Sequence, residues 1–329
     1  MKAVKERTVD KSKFQDLLRQ MLLIRRFEEK AAEMYMRGKI GGFLHLYIGE
    51  EAIAAGVMTT LKPDDYIVSH YREHGHALAR GIEPRRVMAE LFGRATGTSK
   101  GKGGSMHLFD ASRGFLGGYA IVGAMMPIAT GLGLASQMQK NDRVTVCFFG
   151  DGAVNQGEFH ESLNLAALWN LPVVFFCENN GYGMGTPVDK TFSGTDISRL
   201  AERYDMHCCE KVNGMDVFDV IRTSQQAVDR ARRGEGPSFI EAITYRFRGH
   251  SMADPLDYRN KAEEREWRKR DPILILRRHL EEQELLSTEE LAEMQREVDE
   301  VIEDAVRFAD ESPVPPEEAL YDDIYADEA

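Results

Sequence analysis

Residues 144–180 read VTVCFFGDGAVNQGEFHESLNLAALWNLPVVFFCENN, and this stretch decides the fold. Two apolar runs, 144–149 and 173–177, flank a segment at 155–170 with helical character. Unbroken apolar runs are what strands covered on both faces of a parallel sheet require. A strand–helix–strand unit of this kind closes with a right-handed crossover. Each run leads into a polar cluster, Gly150-Asp151-Gly152 after the first and Glu178-Asn179-Asn180 after the second. Residues 153 to 178 lie between Gly152 and Asn179, which gives the pattern GDG-x26-NN. Consecutive strands of such a unit end side by side at the carboxyl edge of the sheet, where ligands bind. Asp151 and Asn180 are therefore expected to face one crevice. A carboxylate and an amide oxygen are hard donors that suit Mg²⁺, an ion that fills its remaining positions with phosphate oxygens and water. The helix expected from Asn155 turns free N–H groups toward the same place, which favours a diphosphate. Taken singly, the clusters read as a turn aspartate and a helix-capping asparagine. Together, at this spacing, they read as a metal–diphosphate site.

Outward from this unit, apolar residues at helical spacing predict helices over 13–37, 50–61, 84–93, 125–138, 196–205 and 217–233. Strands are predicted at 66–69 and 238–247. Residues 93–124 carry glycines at 93, 97, 101, 103, 104, 114, 117, 118 and 123, too many for regular structure, so a loop region is expected. Beyond residue 271 the chain reads as charged helix and then an acidic, proline-containing tail. The alternation predicts an α/β fold with a central, mostly parallel sheet flanked by helices, with helical extensions at both ends. One domain over 15–311 is expected, with tails at 1–14 and 312–329.

The chain has 329 residues, a net charge of −12, 43% hydrophobic and 29% charged residues, which is globular composition and excludes disorder. The acidic balance speaks against nucleic acid as a partner, since no basic surplus replaces phosphate counterions. No apolar run approaches the roughly 20 residues of a membrane helix, so a soluble chain is expected. The N-terminus has no apolar core of a secretory signal, and Glu6 and Asp10 count against a transit peptide, which points to the cytoplasm. A trimmed organellar form would read the same. Cys147 and Cys177 sit in apolar runs as small buried hydrophobes, and Cys208-Cys209 read as strand packing or as a metal or redox pair. Lys102 is followed by Gly103 where a P-loop needs Ser or Thr, and no GxGxxG follows a strand, so neither nucleotide motif is present.

Several stretches together carry a resemblance: GFLHLYIGEEA (42–52), SHYREHGHALARG (69–81), GRATGTSKGKGGSMHLF (93–109), 150–186 and YRFRGHSMADP (245–255). With GDG-x26-NN they resemble the alpha subunits of two-chain 2-oxo acid dehydrogenases, on the side of the family that uses pyruvate, over about residues 15 to 325. The resemblance implies the thiamine diphosphate-binding fold and thiamine diphosphate with Mg²⁺ as cofactors. It places the metal on Asp151, Asn180 and the backbone carbonyl of Tyr182. It places the diphosphate on Gly152, Ala153, Tyr71 and Arg72, and the aminopyrimidine near the backbone of Ala120, Ile121 and Val122. His45 and His250 would line the active-site channel, with His74, His76 and His107 close by. The implied reaction is oxidative decarboxylation of a 2-oxo acid, with transfer of the acyl group to the lipoyl group of a dihydrolipoyl acyltransferase. The glutamate that activates the pyrimidine comes, in this family, from a beta subunit, so an α₂β₂ heterotetramer is expected and the isolated chain should be inactive. Acetoin dehydrogenase alpha subunits share nearly the same motifs, and a non-catalytic scaffold subunit is the reading from another class. The helix over 125–138, with Ala129, Gly131, Gly133 and Ala135, serves either as a subunit seam or in internal packing. Arg246 and Arg248 read either as positioning the loop that follows or as a solvated strand end.

Overall fold

The computed structural model describes residues 11–194 and 196–325. Among the described residues there are eight strands: β1 (Tyr66–His70), β2 (Phe115–Tyr119), β3 (Thr145–Gly150), β4 (Val173–Asn179), β5 (Tyr182–Gly183), β6 (Thr186–Pro187), β7 (His207–Asn213) and β8 (Ser238–Ile243). Six of them form one sheet in the order β2-β1-β3-β4-β8-β7, with every pair parallel. β5 and β6 make a small separate hairpin. From β1 the chain passes to β2 on one side and then to β3 on the other, so the strand order reverses between β1 and β3. Such a reversal opens a crevice at the carboxyl edge of a parallel sheet.

Side chains alternate across the sheet, and each face has its own core. Val146, Phe148, Val174, Phe176, Ile240 and Ala242 point into the larger one. It is closed by the helices α1 (Lys11–Met36), α2 (Glu51–Met58), α3 (His74–Ala79) and α4 (Pro84–Leu91). Cys147, Phe149, Val173, Phe175, Cys177 and Phe239 point into the other, under α5 (Met125–Met138) and α6 (Gly157–Leu168). Burial on both faces is why β3 and β4 are continuous apolar runs. Cys147 and Cys177 are free, fully buried thiols whose pKa burial pushes well up, as expected of small core residues. The strand β7 carries Cys208-Cys209, whose side chains lie outside the described residues.

The remaining helices are α7 (Val188–Thr191), α8 (Arg199–Glu202), α9 (Val217–Arg232), α10 (Lys261–Arg268), α11 (Pro272–Glu282) and α12 (Thr288–Glu311). Ser287 and Glu290 start α12 with a reciprocal capping box. Several boundaries differ from the sequence expectation. α1 begins at Lys11, inside the stretch read as an N-terminal tail. The helix read over 196–205 shrinks to α8, followed by Asp205 in the left-handed region at φ 53°. β2 lies in the stretch read as loop. Its sequence, FLGGY, hides a strand because Gly118 has no side chain: a Cβ there would stand 2.0 Å from the Glu73 carboxyl carbon. The glycine-rich segment before β2 is ordered by one buried carboxylate. Glu90 on α4 accepts N–H groups from Ser99, Gly101, Gly103 and Gly104 at 2.7–3.1 Å.

Candidate active site

The carboxyl ends of β1, β3, β4 and β8 converge on a cavity of about 280 Å³. Of the residues singled out in the sequence, Tyr71, Arg72, Val122, Asp151, Gly152, Ala153, Asn180, Tyr182 and His250 line it. β3 and β4 are in register, with Gly150 opposite Glu178, which sets the two polar clusters side by side. Asp151 opens a 3-10 turn (Asp151–Asn155), and α6 begins only at Gly157, two residues later than the helix start read from sequence. A Cβ on Gly150 would meet nothing within 4 Å, so the strand end faces open space.

Asp151 and Asn180 are 2% and 8% exposed, and Asp151 Oδ2 and Asn180 Oδ1 are buried acceptors without a hydrogen-bond partner. Buried acceptors left unpaired are costly, so a pair of them in one cavity marks a place for a cation. Burial pushes the Asp151 carboxyl up to about 6, against the pull of nearby backbone N–H groups and the Arg246 charge. Tyr182, the third expected donor, lines the same cavity. In the β5–β6 hairpin the Val188 N–H donates to the Gly181 carbonyl at 3.0 Å, so Tyr182, one residue on, is not part of that rung. The Tyr182 hydroxyl donates to Glu263, 2.8 Å away. Two oxygen side chains and a carbonyl form a donor set of the kind Mg²⁺ takes.

The anion side of the cavity is built by two buried arginines. Arg72 donates to the carbonyls of Leu46 and His250, both at 2.8 Å, and its Nε is 3.9 Å from Glu50 Oε2. Burial and then the Arg246 charge lower its pKa to about 10. Arg246 is 1% exposed and donates to the carbonyls of Arg248 and Met184 and to the Tyr258 hydroxyl. It is no solvated strand end. Among the described residues no carboxylate forms a close ion pair with it, and its charge favours the ionised forms of Glu50, Asp151 and Asp254 nearby. Guanidinium groups of this kind match phosphate oxygens. The loop after β8 is latched by Asp254, which accepts the His250 N–H and the Tyr258 hydroxyl at 2.5 Å each.

The histidines divide into two groups. His45, Tyr71 and His250 form a ring cluster, with centroids 4.7 Å apart for His45–Tyr71 and 5.1 Å for His45–His250. The Nδ1 atoms of both histidines are buried without partners. Burial, then the charge of Arg72, lowers His45 to about 2 and His250 to about 3, so both imidazoles are neutral. His45 stands against the cluster but does not itself line the cavity. Ala120 does not line it either, whereas Val122 does. In the second group His74 and His76 were expected close by, whereas His70 and its partners Glu178 and Tyr47 were not singled out for the site. His70 Nε2 lies 2.6 Å from Glu178 Oε2, and His76 Nε2 lies 3.0 Å from Glu178 Oε1. Tyr47 OH also donates to that carboxylate. Burial pushes Glu178 up, but His76 and His70 prevail and hold it below the usual carboxylate range. His74 pairs with Glu28 on α1. Tyr47, His70 and Glu178 were missed because nothing local in the sequence joins Tyr47 to Glu178, and only the fold does.

Comparison with known proteins places the chain in a family. The profile of the family described as "Dehydrogenase E1 component" matches residues 19–318. A "Pyruvate dehydrogenase E1 component subunit alpha" of Rhizobium meliloti (strain 1021) is 47% identical over 307 residues, which is 93% of this chain and 88% of the relative. The same-named protein of Porphyra purpurea is 45% identical over 324 residues, 96% of this chain and 94% of the relative. A chloroplastic "Pyruvate dehydrogenase E1 component subunit alpha-3" of Arabidopsis thaliana is 44% identical over 318 residues, 95% of this chain and 74% of the relative. With a six-stranded parallel sheet, the GDG and NN clusters at its carboxyl edge and a profile match over most of its length, the chain belongs to the dehydrogenase E1 component family.

Proposed function

We propose that this chain is the alpha subunit of a pyruvate dehydrogenase (acetyl-transferring). The reaction is thiamine diphosphate-dependent oxidative decarboxylation of pyruvate, with transfer of the acetyl group to the lipoyl group of a dihydrolipoyl acyltransferase. The observation that carries the reading is the pair of partnerless buried oxygens, Asp151 Oδ2 and Asn180 Oδ1, between two buried arginines. Dependence on thiamine diphosphate follows from the family, and use of pyruvate rests on the names of the relatives. No helix among the described residues is long and apolar enough to cross a membrane. A cytoplasmic enzyme is part of the same proposal.

In this reading Asp151, Asn180 and the Tyr182 carbonyl would hold Mg²⁺, and Arg72 would neutralise the diphosphate with help from Tyr71 and the backbone at Gly152 and Ala153. Bound thiamine diphosphate supplies the electron sink that decarboxylation needs. The protein's part is position and water exclusion. Val122 gives the cavity an apolar wall, with Ala120 and Ile121 continuing the same segment. His250, with His45 and Tyr71 against it, presents a neutral imidazole to the cavity that can hydrogen-bond a ligand. Of the two carboxylates on the cavity wall, Asp151 is taken by the metal. Glu178 is consumed by His70, His76 and Tyr47. Neither is left to activate the pyrimidine, which supports a beta subunit as the source of that group and an α₂β₂ assembly. Reconstitution tests the proposal. The isolated chain with thiamine diphosphate and Mg²⁺ should not decarboxylate pyruvate, and adding the beta subunit should start the reaction and its transfer to a lipoyl domain. Turnover by the isolated chain, or reconstituted turnover of acetoin in preference to pyruvate, would overturn it.

A further inference from the structure

The two asparagines at the end of β4 are neighbours in sequence, yet their amides are held by two buried glutamates from different elements. Asn179 Nδ2 donates to Glu241 Oε1 on β8 at 2.7 Å, and Asn179 Oδ1 then accepts the Gly181 N–H at 3.0 Å. Asn180 Nδ2 donates to Glu50 Oε1, just before α2, at 3.0 Å, and Asn180 Oδ1 has no partner. Both glutamates are fully buried. An amide can present either its oxygen or its NH₂ to a given neighbour, and a carboxylate accepts only the NH₂. Each glutamate therefore fixes which way its asparagine faces.

The consequences differ for the two residues. With its NH₂ tied to Glu241, Asn179 must turn its oxygen back on its own chain. The resulting bond to the Gly181 N–H closes the turn in which Gly181 sits at φ 83°. That turn sets Asn180 and Tyr182 at the cavity. Glu241 is fixed in turn by the Ser198 N–H at Oε2, 3.0 Å away. With its NH₂ tied to Glu50, Asn180 must leave its oxygen free on the other side. The remaining Glu50 oxygen is itself without a hydrogen bond and faces the Arg72 Nε at 3.9 Å, so the Arg72 charge offsets a carboxylate that would otherwise be bare. The line Arg72–Glu50–Asn180 thus joins the anion side of the cavity to its cation side.

We infer that Glu50 and Glu241 are positioning residues for the metal: Glu50 keeps the Asn180 amide oxygen turned to the cation, and Glu241 keeps the turn that carries Asn180 and Tyr182 closed. This rests on the proposed metal–diphosphate site and adds to it the groups that orient its donors. Partners that orient metal ligands typically contribute about 10–100-fold in metal affinity.

The test is a Mg²⁺ titration of thiamine diphosphate binding, by calorimetry, in the enzyme assembled with its beta subunit. Glu50→Leu removes the acceptor and lets the amide turn over, so the Mg²⁺ concentration for half-saturation should rise about 10–100-fold. At saturating Mg²⁺ the cofactor affinity should return. Glu50→Gln keeps one acceptor oxygen for the Asn180 NH₂ and should stay within about threefold of wild type on the same scale. Glu241→Gln should behave likewise and Glu241→Leu should not. A charge-swapped pair covers the case in which the leucine variants do not fold. Asn180→Asp alone faces the Glu50 carboxylate and should weaken Mg²⁺ binding. Glu50→Gln in the same chain supplies an NH₂ to the new carboxylate and should restore most of it. Unchanged half-saturation in Glu50→Leu, or no rescue in the double variant, overturns the orienting role. A wild-type enzyme whose cofactor binding ignores Mg²⁺ overturns the metal site itself, and the two failures are distinguished by that control.

Discussion

Replacing Asp151 with asparagine should make the metal-free enzyme more stable and remove most of the stability that cofactor adds, and the size of both effects follows from the site. Asp151 is 2% exposed, its Oδ2 lacks a partner, and burial raises its carboxyl from 3.8 to about 6. That rise corresponds to about 3 kcal/mol of penalty on the ionised form. The folded protein holds the proton more tightly than the unfolded chain, so this stability is present below pH 3.8, falls between 3.8 and about 6 and is gone above. Asp151→Asn carries no charge to bury. Without metal it should gain up to about 3 kcal/mol over wild type at pH 7, and the gain should vanish near pH 4. Thiamine diphosphate and Mg²⁺ at 100 times their dissociation constants should add about 2.7 kcal/mol to wild type and little to the variant. Urea denaturation of the assembled enzyme, at both pH values and with or without cofactor, measures all four quantities. A variant less stable than wild type in the metal-free state at pH 7, or one stabilised by the cofactor as much as wild type, would refute the reasoning.

Other outcomes are equally specific. His45 and His250 should show no imidazole titration by NMR between pH 5 and 8 in the metal-free protein, because burial and the Arg72 charge keep both neutral. His250→Ala should leave the melting temperature alone and slow acyl transfer to lipoyl; a full rate in a lipoyl-coupled assay would return His250 to a packing role. On α5 the two glycines should part company. A Cβ on Gly133 would stand 2.5 Å from Val173 Cγ2, so Gly133→Val should cost about 1–3 kcal/mol of chain stability. Gly131 faces open space, and Gly131→Val should spare the chain but weaken assembly with the beta subunit, read by sedimentation. Glu90→Ala should strand four N–H groups at a cost of about 3–5 kcal/mol and speed hydrogen exchange at 99–104. Exchange rates unchanged from wild type would mean the loop holds its shape without the carboxylate.

Much of this protein can be read from the order of its residues. Uninterrupted apolar runs at 144–149 and 173–177 can be satisfied only by strands covered on both faces, so the parallel sheet and the pairing of Asp151 with Asn180 are local consequences of the sequence. The glycine-rich β2 was not legible, because Gly117 and Gly118 erase the alternation that signals a strand and owe their place to Phe109 and Glu73 packed against them. Arg246 was ambiguous for the same kind of reason. A basic residue past a strand end is usually solvated, and only the closure of the 248–259 loop by Asp254 and Arg259 buries it. The sense of the two asparagine amides lay further out of reach. Glu50 and Glu241 are 130 and 62 residues from their partners, and an amide's orientation is set by whichever acceptor the fold brings to it. Residue types and spacing determined that Asp151 and Asn180 meet at the ends of β3 and β4; tertiary contact alone decided which atom of the Asn180 amide is left unpaired there, because hydrogen-bond direction depends on neighbours in space.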